Sequence, residues 1–283
     1  MAAESSPPGG VPERRSPVYW FVGLTILALL AAFLLPAVKQ PLEYHDFADH
    51  RHAHGIDNFL DVVSNAGFLV FGVLGLFIIG KGRACFERPA ERWPYVTFFI
   101  GLVLTAVGSG YYHLAPDNET LFWDRLPMTI AFMGLVSAQI VDRVNVRAGL
   151  LALGPALLVG VGTVVYWILT ERQGRGNVVP YAVLQAYAVL VLLQLALLHP
   201  SRYTHGGAIY AVFAAYLLAK VFEHYDRQIF ALTGMVSGHT LKHVVAGLAG
   251  IPVVWMLWHR RLVALQPAAQ VDNLPARQAR APA

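Results

Sequence analysis

The stretch NFLDVVSNAGFLVFGVLGLFIIG, Asn58 to Gly80, holds 23 residues and one formal charge, Asp61. At 1.5 Å per residue a helix of this length spans the roughly 30 Å hydrocarbon core of a bilayer. From Ala66 onward it has no polar side chain, so a helix here has no face to turn toward water. Its surroundings must be lipid or other helices.

Seven more runs of the same character lie on either side of it. They extend from about Val18 to Leu35, Trp93 to Tyr112, Leu126 to Val141, Ala148 to Leu169, Val179 to Leu198, Gly206 to Phe222 and Leu241 to Trp258. The chain is 56% hydrophobic and 13% charged, with mean hydropathy +0.52. A soluble domain carries about 25% charged residues, so a soluble globular protein is excluded. The single cysteine, Cys85, rules out an intramolecular disulfide framework. A net charge of +4 raises nucleic acid as a partner, but the arginines sit in short loops between apolar runs, where they set topology. The expected fold is an all-α, polytopic transmembrane helix bundle of eight spans. Residues 1–16, rich in Ser, Pro and Gly, and 263–283, rich in Ala, Pro and Arg, are expected to be disordered tails.

Orientation follows from the positive charges. Arg14 and Arg15, the cluster Lys81, Arg83, Arg88 and Arg92, then Arg143 and Arg147, Arg202, and Arg260 and Arg261 all fall in one alternating set of loops. The other set is acidic or histidine-rich, with Glu43, Asp46, Asp49, Asp57, Asp117, Glu119, Asp124, Glu223 and Asp226. The positive-inside rule puts both termini in the cytoplasm. Short loops and a high Ala, Gly and Arg content point to a bacterial inner membrane, with the acidic side facing the periplasm.

Ionisable groups at membrane depth cost about 2.5–3.5 kcal/mol each on insertion scales, so those that persist are functional candidates. Ser109 and His113 are four apart in GSGYYH, at the end of the third run, and share one helix face. Asp124 opens the fourth run in FWDRLPM. His239 and His243 are four apart in HTLKH, at the start of the eighth. Alternating spans bring all five to the same leaflet. Three histidines with an open fourth position match the ligand count of a catalytic zinc site, whose bound water ionises near pH 7. Asp124 is then the candidate general base and Ser109 a donor to the bound water or the oxyanion.

Taken in order, these motifs resemble the alkaline ceramidase family, within the membrane-hydrolase superfamily that also includes the adiponectin and progestin receptors. They are Asp61, Ser64 and Asn65 in DVVSN, Ser109 and His113 in GSGYYH, Asp124 eleven residues later in DRLPM, and His239 and His243 in HTLKH. The resemblance covers residues 45–258. It implies zinc bound by His113, His239 and His243, catalysis by Asp124 and support of the transition state by Ser109. It also implies a seven-helix hydrolase core at 41–262, with residues 17–40 forming an additional amino-terminal transmembrane helix. The expected reaction is hydrolysis of the amide bond of an N-acyl, ceramide-like lipid to a fatty acid and an amine. Arg125 and Lys242 depart from the eukaryotic pattern, which has Glu and an aromatic residue there. The family's acidic calcium loop is only partly echoed by Asp46, Asp49 and Asp57, with Asn58 where an acidic ligand belongs, so the case for calcium is weak.

Asp61, Ser64 and Asn65 are expected to bond neighbouring helices and to stand behind the metal ligands. The histidine-rich loop HDFADHRHAH, with His45, His50, His52 and His54, reads as a solvated loop bonded to the site below it, or as a second metal site. Lys220, Glu223 and His224 lie near the proposed mouth, and Lys220 reads as a snorkelling side chain. The partner is a membrane lipid, not nucleic acid. Two other classes fit the bundle: a lipid receptor or sensor with a structural zinc and no turnover, and a transporter. A transporter places its ionisable groups near the midplane, whereas these gather at one end.

Overall fold

The computed structural model describes residues 18–263. The readings made on residues 1–16 and 264–283, including Arg14 and Arg15, lie outside them. Eleven α-helices follow in order: α1 (Val18–Leu34), α2 (Phe59–Val63), α3 (Ala66–Gly80), α4 (Arg92–Leu114), α5 (Asn118–Arg143), α6 (Val146–Arg172), α7 (Val179–Leu198), α8 (Ala208–His224), α9 (Asp226–Thr233), α10 (Gly238–Leu248) and α11 (Gly250–His259). Among the described residues there is no strand beyond two isolated bridges. The protein is an integral membrane, all-helical protein. Five helical stretches are long and apolar enough to cross a bilayer: Phe59–Gly80, Pro89–Leu114, Val146–Arg172, Val179–Leu198 and Gly238–His259.

Helix α5 is not one of the five, for a reason that bears on function. It begins at Asn118 rather than near Leu126, because Asp117 and Thr120 close a reciprocal capping box. Asp117 Oδ1 accepts from Thr120 N at 2.6 Å, and Thr120 Oγ1 accepts from Asp117 N at 3.0 Å. Glu119, Asp124 and Arg125 therefore ride on a helix instead of in a loop. At its far end the same helix carries Asp142 and Arg143. Two of the sequence runs are interrupted, one at Ser64–Asn65 between α2 and α3, the other at Ala249 between α10 and α11. Helix α9 was not foreseen.

Helix α5 is the hub, packed against α4, α6 and α7, while α10 lies between α8 and α3. Helix α1 packs on α7, with Thr25 Oγ1 2.9 Å from Tyr187 Oη. Two close approaches set the register of the bundle near the end that carries the three histidines. Gly67 and Gly247 meet where α3 crosses α10; a Cβ on Gly67 would stand 3.4 Å from the Gly247 Cα. One turn earlier on each helix are Val63–Ser64 and His243. At the second approach Gly108 faces the Trp123 carbonyl, with room for no side chain, and Pro127 Cγ would lie 3.3 Å away. Pro127 has no N–H to return to the carbonyl four residues back, which is that of Trp123, so this turn of α5 is open where α4 presses on it. Ser109 and Asp124 are the next residues on the two helices.

The opposite end is closed by a buried ionic network. Arg260 reaches Asp142 Oδ2 at 2.8 Å, and Tyr95 donates to the same oxygen at 2.7 Å. Arg143 bonds Gln139 and the carbonyls of His199 and Gly206. Read from the sequence as loop charges, Arg143 and Arg260 are instead buried partners that join α4, α5 and α11, since helix ends that converge must satisfy their own carbonyls and carboxylates.

Candidate metal centre and its cavity

His113, His239 and His243 converge: one nitrogen of each lies within 4.8 Å of the others, and all three residues are buried. His113 sits in the last turn of α4, its carbonyl held by Asn58 Nδ2 at 2.9 Å. His239 and His243 occupy the first two turns of α10, whose start is capped by Ser237 accepting from Thr240 N. The His239 amide also donates to Asp226 Oδ1 at 2.6 Å, and Asp226 Oδ2 accepts from Ala48 N at 2.9 Å. One carboxylate thus ties the loop after α1 to the first histidine of α10.

The donors suit a metal. His243 Nδ1 lies 3.1 Å from the Asp61 carbonyl and 3.0 Å from Ser64 Oγ. A carbonyl only accepts, so Nδ1 carries the proton and the Nε2 lone pair faces the cluster. Nε2 of His113 and Nε2 of His239 oppose each other at 3.4 Å. Two nitrogens bound about 2.0–2.1 Å from a tetrahedral zinc stand about 3.3 Å apart, so the pair is spaced as zinc ligands are; with a proton on one Nε2 the same separation is a His–His hydrogen bond. Three neutral nitrogens from two helices therefore fit zinc. They are compatible with other borderline divalent ions as well.

Asp61 and Ser64 lie beside His243, and Asn65 bonds Asp61. Besides its carbonyl, Asp61 offers Oδ1 to the Thr240 hydroxyl at 2.5 Å, while Asn65 Nδ2 donates to the Asp61 carbonyl at 2.8 Å. Phe47, which the sequence reading passed over, covers the cluster from outside. Its ring centroid is 4.7 Å from that of His113 and 4.3 Å from that of His239. Nothing in its spacing marks it; its role comes from the fold of the loop. Asp226 and Thr240 were missed for the same reason, since each acts through a partner distant in sequence.

The histidines of the loop have separate partners. His45 bridges Tyr112 Oη (2.8 Å) and Asn118 Oδ1 (2.9 Å), His50 lies near Asn58 and Asp46, His52 bonds Asp57, and His54 stacks against Phe59. The loop is fastened by Arg51, which donates to both oxygens of buried Asp49 (2.7 and 2.6 Å) and to the Met235 carbonyl. Its bond to Arg51 holds the Asp49 carboxyl below the usual carboxylate range, against the opposing effect of burial.

A cavity of about 400 Å³ opens beside the cluster. Ser109, Asp124 and His243 line it at one end, and Phe68, Phe98, Leu102, Met128 and Phe132 carry it into the bundle. Five charged side chains border its polar end: Asp124, Arg125, Lys220, Glu223 and Lys242. Glu223 accepts from both lysines, at 2.6 Å from Lys220 and 3.0 Å from Lys242. A second, polar cavity lies outside Phe47, lined by Glu43, Asp46, Asp226 and His239 among others. Comparison with protein-family models and with curated proteins finds no match to this chain.

Proposed function

We propose that the protein is a zinc-dependent membrane hydrolase that cleaves the amide bond of an N-acyl, ceramide-like lipid, giving a fatty acid and an amine. One observation carries this reading: a three-histidine cluster borders, through His243, a largely apolar chamber whose lining also holds Asp124 and Ser109. That arrangement suits a substrate with a long chain and a single polar bond to break. The bundle is read as eight spans, a seven-helix core preceded by α1, with both termini cytoplasmic and the site facing the periplasm.

A metal held by His113, His239 and His243 supplies, when bound, a water that ionises at neutral pH. The chain's own residues do the rest. The apolar wall from Phe68 to Phe132 takes the acyl chain and sets the carbonyl beside His243. Asp124 accepts the proton of the attacking water as the new C–O bond forms. It returns that proton to the amide nitrogen as the C–N bond breaks, so that carboxylic acid and amine leave with atoms balanced. Ser109, buried and bordering the same space, donates its hydroxyl to the oxygen that gains charge. Phe47 packs its ring against the imidazoles of His113 and His239.

The test is release of fatty acid from a panel of N-acyl lipids by the purified, zinc-supplied protein. Asp124→Asn should retain the fold and lose about 10²–10⁴ in turnover. Full activity in that variant would remove Asp124 from the mechanism. Lipid binding without turnover by the unaltered protein would favour the receptor reading.

A further inference from the structure

Of the three cations that border the cavity, Arg125 is the one with no ion-paired carboxylate among the described residues. It is 6% exposed, and among the described residues no carboxylate pairs with it. Gln40 Oε1 accepts from one terminal nitrogen at 2.5 Å; the other is buried with no acceptor. Three aromatic faces hold the guanidinium in position: Trp167 at 4.4 Å, Tyr181 at 4.9 Å and Tyr44 at 5.6 Å. Such a cage offsets part of the cost of burying a cation and fixes its orientation, but it leaves one terminal nitrogen of the donor fork without an acceptor.

Of the two carboxylates on this cavity wall, Asp124 forms no ion pair with Arg125 and the other is committed elsewhere. Glu223 is shared by Lys220 and Lys242. Asp46 pairs with Arg227, and Asp226 accepts two backbone amides. The inner cavity therefore keeps one cation with no carboxylate paired to it and one terminal nitrogen without an acceptor. Around the inner cavity three cations face two carboxylates. A buried cation left without a partner is expensive, and the usual reason to keep one in a cavity wall is a ligand that supplies the anion.

We propose that Arg125 receives an anionic headgroup, so that the substrate is an N-acyl lipid whose amine portion bears a carboxylate, as in an N-acyl amino acid. Planar bidentate pairing with a carboxylate is what the guanidinium fork provides and a neutral hydroxyl headgroup cannot use. The acyl chain runs along the apolar wall, the amide lies by His243 and Asp124, and the carboxylate meets Arg125. Arg125 touches substrate but not the reacting bond, which makes it a specificity residue. The substrate assignment rests on the hydrolase reading; the anion site does not.

Two assays separate them. In the first, N-palmitoylglycine and its neutral twin N-palmitoylethanolamine, which share the acyl chain and the amide, are compared as substrates of the zinc-supplied protein. In the second, the ketomethylene analogues of both, which cannot be hydrolysed, are compared as ligands. The carboxylate analogue should bind at least about thirty-fold more tightly than the neutral one, and Arg125→Gln should abolish that preference by weakening the carboxylate ligand alone. Turnover should follow the same order, through KM. Equal binding of the two analogues, or an equal loss of both in Arg125→Gln, overturns the anion site even if hydrolysis is robust. Preferential, Arg125-dependent binding with no hydrolysis of either amide upholds the anion site and removes the hydrolase reading. Arg125→Lys keeps the charge and should restore only part of the preference, which separates pairing from simple attraction.

Discussion

His243 is fixed by atoms that a metal would not touch. Its Nδ1 rests between the Asp61 carbonyl and Ser64 Oγ, so the lone pair on Nε2 is aimed before any ion arrives. Removing such a support costs about 10–100-fold in metal affinity. Ser64→Ala should therefore release zinc to a competing chelator at correspondingly lower chelator concentration, with helix content unchanged. An unaltered competition curve would mean that the Asp61 carbonyl suffices alone. The pairs Ser109/His113 and His239/His243 were legible in the sequence because four-residue separations on apolar runs report a helix face directly, and Asp124 because it opens the next run. Phe47, Thr240 and Asp226 were not, because each acts across more than 60 residues, or through a backbone amide, and no local pattern encodes that. Arg125 could be seen in the sequence, but only as a departure. Its lack of a partner is a property of the packed bundle.

Helix ends and crossings do the positioning. The capping box at Asp117 starts α5 early enough to place Asp124 on a rigid helix, and the Gly108 crossing brings Ser109 to it. Gly108→Val should push α4 off the Trp123 carbonyl. We expect destabilisation of about 1–3 kcal/mol, read as a lower Tm in detergent, and a turnover loss of about a hundredfold as Ser109 and Asp124 separate. Zinc content should stay the same, since His113 lies on the next turn; loss of zinc would show that the crossing supports the cluster as well. The loop after α1 depends on charge. Because Asp49 titrates below the usual carboxylate range in the folded protein, its contribution is complete above the ordinary value and disappears as pH falls through the depressed one. Amide exchange across residues 46–52, corrected for intrinsic rate, should be constant from pH 8 to about 5 and accelerate below about pH 4. Asp49→Asn should show the fast exchange at neutral pH. Protection that persists through the acid range would assign the docking to Phe47 rather than to the Asp49–Arg51 pair. The helical runs themselves could be read from hydropathy, and the break at Ala249 follows from Pro252, which has no N–H for the Leu248 carbonyl; the break at Ser64–Asn65 carries no such local signal.

Across the whole molecule the two ends of the bundle are built differently. One holds the histidines and the cavity; the other, about 27 Å along α5 from Asp124 to Asp142, is bound shut by arginine and carboxylate pairs. The sole cysteine, exposed Cys85, lies at this second end, between α3 and α4. With the site facing the periplasm, a membrane-impermeant thiol reagent should leave Cys85 unmodified in intact cells and label it in inverted vesicles. The reverse pattern would invert the orientation read from the loop charges. What most directly tests the account is the zinc content of the detergent-purified, full-length protein, beside His243→Ala prepared identically. The account predicts close to one zinc per chain, falling sharply in the variant while both preparations stay folded. No bound zinc after supplementation, or the same amount in His243→Ala, would contradict a metal centre at these three histidines and with it the proposed chemistry.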